Sequence, residues 1–240
     1  MVALPTAATT ETLIVSDLHL GIPAARPREL LGLLAEWRFQ RLILLGDVLH
    51  DYGFRNFCGD TWALLYHLRR LASDSAVEIV WIKGNHDREL SPIVAMLTGI
   101  RMRESFRWTC GERRYLALHG DRFDRFVTCN RRISRLISRG YGFCQRRLSR
   151  HGRWPAVLDR MHGRLSNLGE QVAVRAARFA RRRSADVVVC GHTHEPSHRR
   201  FVGAPDVDYY NAGSWVGGSA TFLAIDARGV RLERQLCTAA

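Results

Sequence analysis

Five short clusters along the chain carry side chains that bind cations: Asp17-Leu18-His19, Gly46-Asp47, Gly84-Asn85-His86-Asp87, His119-Gly120-Asp121 and Gly191-His192-Thr193-His194. If they converge, two carboxylates (Asp17, Asp47), one amide (Asn85) and four imidazoles (His19, His119, His192, His194) share one place. That density of lone pairs demands compensating positive charge. Oxygen and imidazole nitrogen without thiolate favour Mn, Fe, Zn, Co or Ni over copper, an iron-sulfur centre or an all-oxygen calcium site. Seven side chains exceed the roughly four that one tetrahedral ion accepts. If one carboxylate bridges, they supply four bonds to each of two divalent ions. Such a pair acidifies a shared water and holds the attacking and leaving oxygens of an in-line displacement at phosphorus. The expected reaction is hydrolysis of a phosphate ester or phosphoanhydride.

Each cluster follows a short apolar run: Leu13 to Val15, Leu42 to Leu45, Val77 to Ile82, Tyr115 to Leu118 and Val187 to Cys190. Runs of this length, rich in Val, Ile and Leu and bounded by Gly and Asp, read as buried strands. Pro27 to Phe39 and Thr61 to Leu71 repeat Leu, Trp and Ala at helical spacing. Strand and helix therefore alternate, which predicts an α/β sheet with the clusters at the carboxyl ends of its strands, where such sheets bind ligands. After Tyr209, three strand-like runs (Tyr209 to Asn211, Ala220 to Ile225, Gly229 to Gln235) predict antiparallel strands that close a second sheet.

The chain has 240 residues and a net charge of +13. Residues 121 to 183 hold 17 arginines against four acids, which accounts for the whole excess and leaves the remainder neutral. Ile133, Leu136, Ile137, Tyr141, Cys144 and Leu148 mark one helical face inside that segment. Trp154-Pro155 opens a second helix through Met161, Leu165, Leu168, Val172 and Phe179. We read residues 122–184 as an arginine-rich helical cap inserted into a single domain spanning 1–240, and expect it to meet an anionic partner. Six cysteines without a C-x-x-C pair read as reduced packing residues. No apolar run approaches the roughly 20 residues that span a bilayer, and the N-terminus lacks the features of an export signal. These features predict a cytoplasmic protein.

In order and spacing, the five clusters resemble the calcineurin-like metallophosphoesterase superfamily. The resemblance implies a two-sheet αββα sandwich. It implies that Asp17, His19, Asp47 and His194 hold one metal, that Asp47, Asn85, His119 and His192 hold the other, and that Asp47 bridges. His86 would stabilise the transition state or protonate the leaving oxygen, with either His50 or Asp51 as its partner. Asp87 and Asp121 read as orienters, because the metals are saturated without them. Within the superfamily, Ser16-Asp17-Leu18-His19-Leu20-Gly21, His119-Gly120-Asp121-x-Phe123-Asp124, His194-Glu195-Pro196 and Tyr210-Asn211-x-Gly213-Ser214-Trp215 are most similar to UDP-2,3-diacylglucosamine diphosphatases. Those enzymes release UMP and a lipid sugar phosphate in lipid A biosynthesis, usually with Mn²⁺, Fe or Zn being alternatives. The likeness implies a peripheral place on the inner face of the inner membrane, with Arg122 and Arg125 as candidate phosphate contacts. His50, in contrast, resembles phosphodiesterase and nuclease branches, so nucleotides or nucleic acid form the alternative substrate class.

Overall fold

In the first strand, β1 (Ala8–Val15), Leu13 and Val15 point into one core while Ile14 points into another. The same two-residue period runs through β2 (Trp37–Leu45), with Leu42 and Leu44 on one side and Ile43 and Leu45 on the other. It recurs in β7 (Val187–Cys190), where Val187 and Val189 face inward and Val188 and Cys190 outward. Strands that bury both faces need cover on both, and these runs therefore dictate layers. The computed structural model describes residues 8–74, 76–124, 156–203, 206–218 and 220–236, with 156–167 as backbone only. The expected helical face from Ile133 to Leu148, and Arg125, lie outside the described residues.

Two mixed sheets stack face to face. The first has the order β11 (Gly229–Arg234), β10 (Thr221–Asp226), β1, β2, β3 (Glu78–Ile82), β4 (Met102–Arg103). The second runs β5 (Phe106–Cys110), β6 (Arg113–Ala117), β7, β9 (Val207–Asn211), β8 (Ser197–Phe201). Strands β1 to β4 are mutually parallel, as are β6, β7 and β9. Three helices, α1 (Pro27–Glu36), α2 (Gly59–Ala72) and α3 (Ser91–Thr98), cover the outer face of the first sheet through Leu30, Leu33, Leu64, Leu68 and Val94. The long α4 (Ala156–Arg181) covers the second sheet through Val172, Ala173, Ala176, Ala177 and Ala180. The small alanines let the helix axis approach the sheet closely. The result is the expected αββα sandwich, and from Leu168 onward the arginine-rich segment supplies its fourth layer.

Several local expectations are corrected. The first helix stops at Glu36 rather than Phe39, and Trp37 to Phe39 join β2, pairing with Ala8 to Thr10. Trp37 and Phe39 suit a strand because bulky rings pack well on a pleated surface. Of the tail strands, only β9 joins the second sheet, where it also pairs antiparallel with β8. β9 lies parallel to β7, while β10 pairs antiparallel with β1 and extends the first sheet. That pairing fills the edge of β1 that β2 leaves open, and Phe222 and Ala224 then join the helix-side core while Leu223 and Ile225 join the inter-sheet core. The hairpin of β5 and β6 turns through Gly111-Glu112, with Gly111 at φ +57°, a signal for a two-residue turn. Of the cysteines, Cys110 and Cys190 are buried, but Cys58 is exposed at the start of α2.

Ile43 sits at full burial between the two sheets. Ile43→Ala is expected to lower unfolding stability in guanidinium by about 2–5 kcal/mol; a loss below about 1 kcal/mol would mean that the sheets close over the vacancy.

Candidate active site

The five clusters occupy the loops after β1, β2, β3, β6 and β7, all at the carboxyl ends of mutually parallel strands within their sheets. Backbone bonds stitch these loops together: Asp17 N–H donates to Gly46 O (3.2 Å), His19 N–H to Asp47 O (2.9 Å) and Gly191 N–H to His119 O (2.9 Å). Among the described residues, six non-glycine residues have left-handed φ, and five of them are Asp17, His19, Asp47, His192 and His194. That backbone costs roughly 1–3 kcal/mol per residue and persists where surrounding structure enforces it, typically at functional sites. The glycines are steric requirements. A Cβ on Gly84 would collide with Asp47 Oδ1, and one on Gly191 with Ser16 Oγ.

Three compact groups result among the described residues, Asp17–His19–His194, Asp17–Asp47–His119 and His19–His50–His86, each with ligand atoms within 4.8 Å of one another. Asp17 Oδ1 lies 3.2 Å from His194 Nε2 and 3.8 Å from His19 Nε2. Asp47 Oδ2 lies 3.3 Å from His119 Nε2 and 4.0 Å from both His19 Nε2 and His86 Nε2. The outward atoms of these side chains are fixed by protein partners. Asp17 Oδ2 accepts from Ser16 Oγ (2.6 Å) and His192 N–H (2.9 Å), and Asp47 Oδ1 accepts from His86 N–H (2.8 Å). His119 Nδ1–H donates to Leu45 O at 2.9 Å, which leaves Nε2 as the lone-pair atom facing the cluster.

The inward atoms have no such partners. Among the described residues, four buried side-chain N or O atoms lack a hydrogen bond, and three are Asp17 Oδ1, Asn85 Oδ1 and His119 Nε2. With the imidazoles deprotonated, buried lone pairs without a donor are costly, and bound cations would remove that cost. The residues present therefore fit divalent metal ions. Burial pulls the His19 pKa well below its usual value, helped by His194 and His86, so this imidazole is neutral and able to ligate. Burial opposes protonation of His119 and His194 too, yet Asp47 and Asp17 raise the first and Asp17 the second. Burial likewise opposes ionisation of Asp17 and Asp47, but their imidazole neighbours hold both carboxyls below the ordinary range.

His192 stands apart from these compact groups. Its backbone bonds to Asp17, but its Nε2 lies 3.1 Å from Asp124 Oδ2, and its ring meets His119 edge-on at 5.3 Å. Asp87 orients, as expected: it accepts from Gly84 N–H (2.8 Å), Val48 N–H (2.9 Å) and Trp81 Nε1–H (3.2 Å). Burial and the neighbouring Asp47 push it up to about 6. Asp121 accepts from Arg88, which also grips Glu104. Arg122 turns elsewhere, its exposed guanidinium stacking 4.9 Å from the Phe179 ring on α4.

His50, not Asp51, is the partner of His86. Its carbonyl accepts from His86 Nδ1–H at 2.9 Å, and the two rings stack at 4.7 Å, whereas Asp51 bonds Gly53 N–H in its own turn. His50 Nδ1 also lies 3.2 Å from His19 Nδ1, close enough to share one proton. Asn211 is a residue that ligand counting misses. Its amide donates to Gly191 O (2.7 Å) and Thr193 Oγ1 (3.0 Å) and accepts from Gly213 N–H (2.8 Å), bracing the loop of His192 and His194. The Asn-x-Gly-Ser pattern after β9 was its only signal.

A two-sheet sandwich whose rim gathers carboxylates and imidazoles in metal-fitting groups defines a metal-dependent phosphoester hydrolase. The profile of the calcineurin-like phosphoesterase family matches residues 11–196, and the chain belongs to that family. Among curated proteins, none matches it in sequence. Similar solved structures include Yfce, a phosphoesterase from E. coli (19% identity, 90% of this chain and 87% of that one, TM-score 0.49). An archaeal phosphodiesterase has 15% identity, covering 93% and 98%, with TM-score 0.46. Zinc-complexed Vps29 from Entamoeba histolytica has 17% identity, covering 93% and 97%, with TM-score 0.43.

Because His119 and His194 carry raised pKa values in the metal-free cluster, a metal must displace protons to bind. Titrating the metal-free protein with Mn²⁺ or Zn²⁺ in buffers of different ionisation enthalpy should show proton release at pH 7. Affinity should fall as pH drops and protons compete; pH-independent affinity would contradict the assignment. His50→Phe keeps a ring stacked on His86 but removes the partner of His19 Nδ1. It should weaken metal affinity roughly 10-fold or more, while His50→Gln, which restores an acceptor, should recover part of the loss.

Proposed function

We propose that this chain is a dinuclear-metal phosphohydrolase that cleaves the pyrophosphate of UDP-2,3-diacylglucosamine to UMP and 2,3-diacylglucosamine 1-phosphate, at an anionic membrane surface facing the cytoplasm. The convergence of Asp17, Asp47, His19, His119 and His194, with Asp17 Oδ1 and His119 Nε2 buried and lacking hydrogen bonds, supports the hydrolytic reading. Asp17, His19, Asp47 and His194 would hold one cation, and Asp47, Asn85, His119 and His192 the other, with Mn²⁺ the favoured ion. Bound there, the ions would neutralise phosphate charge and acidify water.

The chain's own residues do the rest. His86 commits Nδ1–H to the His50 carbonyl, which directs Nε2 toward the cluster, 4.0 Å from Asp47 Oδ2. From there it can give a proton to the departing oxygen, the general-acid role that an imidazole most often fills. Asp87 fixes the loop that carries Asn85 and His86 by bonding Gly84 and Val48 from one carboxyl group. Asp124 orients the His192 ring.

For the lipid substrate, support comes from where the charge lies: the entire excess of +13 falls in residues 121 to 183. Arginine stems cover apolar surface while guanidinium groups hold anionic headgroups, each basic residue contributing roughly 1 kcal/mol near such a surface. One observation favours a second reading, a phosphodiesterase or nuclease: His50 joins His19 and His86 in a three-imidazole group whose ligand atoms lie within 4.8 Å.

An Mn²⁺-supported assay that compares UDP-2,3-diacylglucosamine with single-stranded DNA and cyclic nucleotides separates the two. Turnover of the lipid alone is expected; turnover of DNA or cyclic nucleotides without the lipid would overturn the lipid reading. Asp47→Ala should reduce hydrolysis of every substrate by at least about 1,000-fold, and retained turnover would remove Asp47 from the site.

A further inference from the structure

Seven large apolar side chains are exposed among the described residues, and four belong to one region: Tyr52 (52% exposed), Trp62 (45%), Tyr66 (64%) and Met96 (71%). The region begins at the site. Tyr52 lies two residues beyond His50, and the Phe57 ring sits beside Gly21, in the loop that carries Asp17 and His19. Phe54 meets Phe57 at 5.3 Å and 70°, and Phe57 meets Trp62 at 5.2 Å and 57°. Trp62, Tyr66, Arg69 and Arg70 then follow along the outer face of α2, opposite its buried Leu64, Leu65 and Leu68. Arg69 donates to Leu97 O, which ties α2 to α3 beside Met96.

Beyond one ion pair, arginines outnumber acids in this band. Arg28 and Asp60 neutralise each other at 3.0 Å, and the Asp51 carboxylate is turned into its own loop. Arg55, Arg69 and Arg70, all exposed, set the potential. Trp and Tyr with flanking arginines suit the boundary between headgroups and acyl chains, where an aromatic body meets hydrocarbon and its polar atom stays hydrated. Single-stranded nucleic acid needs open ring faces on which bases stack. Here Phe54 meets Phe57 edge against face and Phe57 is tilted against Trp62, so these rings pack on one another and form no parallel stacking platform.

We infer that the outer face of α2, with the loop from Tyr52 to Phe57, is a docking surface for an anionic phospholipid bilayer. This rests on the membrane part of the proposed function but uses the helix layer of the first sheet, on the opposite side of the sandwich from α4, and does not depend on the arginine-rich segment. Docking by this face sets the mouth of the site at the lipid surface, because the band starts at the loops that carry His19 and His50.

The test uses the full chain and sucrose-loaded vesicles of phosphatidylglycerol and phosphatidylcholine, with phosphatidylcholine alone as the uncharged control. Trp62→Ser with Tyr66→Ser, and separately Arg55→Glu with Arg70→Glu, should each lower partitioning onto anionic vesicles about tenfold or more. Both should leave turnover of a soluble chromogenic phosphodiester unchanged, which shows that the fold survives. In a Trp154→Phe background, acyl-brominated vesicles should quench the tryptophan emission, and Trp62→Ser should remove most of that quenching. Unchanged partitioning in both variants, quenching that persists without Trp62, or capture of single-stranded DNA in place of vesicles would overturn the proposal. Partitioning that follows this face in a protein inactive on UDP-2,3-diacylglucosamine would support the surface and reject the substrate. Lipid turnover with partitioning indifferent to the face would support the substrate and reject the surface.

Discussion

Two carboxylates, Asp17 and Asp47, are held almost wholly out of water beside each other, and the rest of the molecule answers to the cost of keeping them ionised there. Burial alone would protonate them. Imidazoles from four loops, one of them Asp17's own, oppose it: His119 and His194 beside Asp17, and His119, His86 and His19 beside Asp47. Charge balance at this point requires that loops from both sheets meet, so the stacking of the two sheets and the electrostatics of the rim are one problem. The inter-sheet core of Ile14, Ile43, Val80, Val189 and Leu223 sets the distance between the strand ends, and the left-handed residues aim the side chains across that distance.

The ligand clusters were legible because chemistry and topology coincide: each follows a buried strand, and parallel strands deliver their ends to one rim. β7 was legible to the residue, since four consecutive buried apolar side chains leave no other reading. What escaped depends on contacts between distant parts of the chain. Trp37 and Phe39 satisfy a helical period as well as a strand period, and only pairing with Ala8 and Thr10 decides between them. Nothing local tells β10 to seek β1, more than 200 residues away, rather than a neighbour in sequence.

At the site the same division holds. His119 and His194 stand out as residue types at telling positions, whereas the pairings of Asp124 with His192, His50 with His19, and Asn211 with the last histidine loop exist only in three dimensions. Arg122 adds a contact of the same kind: sequence places it beside the His119 cluster, and the fold sets its exposed guanidinium over the Phe179 ring on α4.

The family match ends at residue 196, yet what lies beyond it is no appendage. The amide of Trp215 donates to the carbonyl of Asp17 at 3.1 Å, and β10 forms the antiparallel border of β1. A fragment cut where the recognisable signature stops would keep all seven candidate ligands and lose the brace beneath the first of them. In this chain the unit of catalysis is longer than the unit of recognition, and gene-fusion or truncation boundaries belong after β11, not after the last histidine.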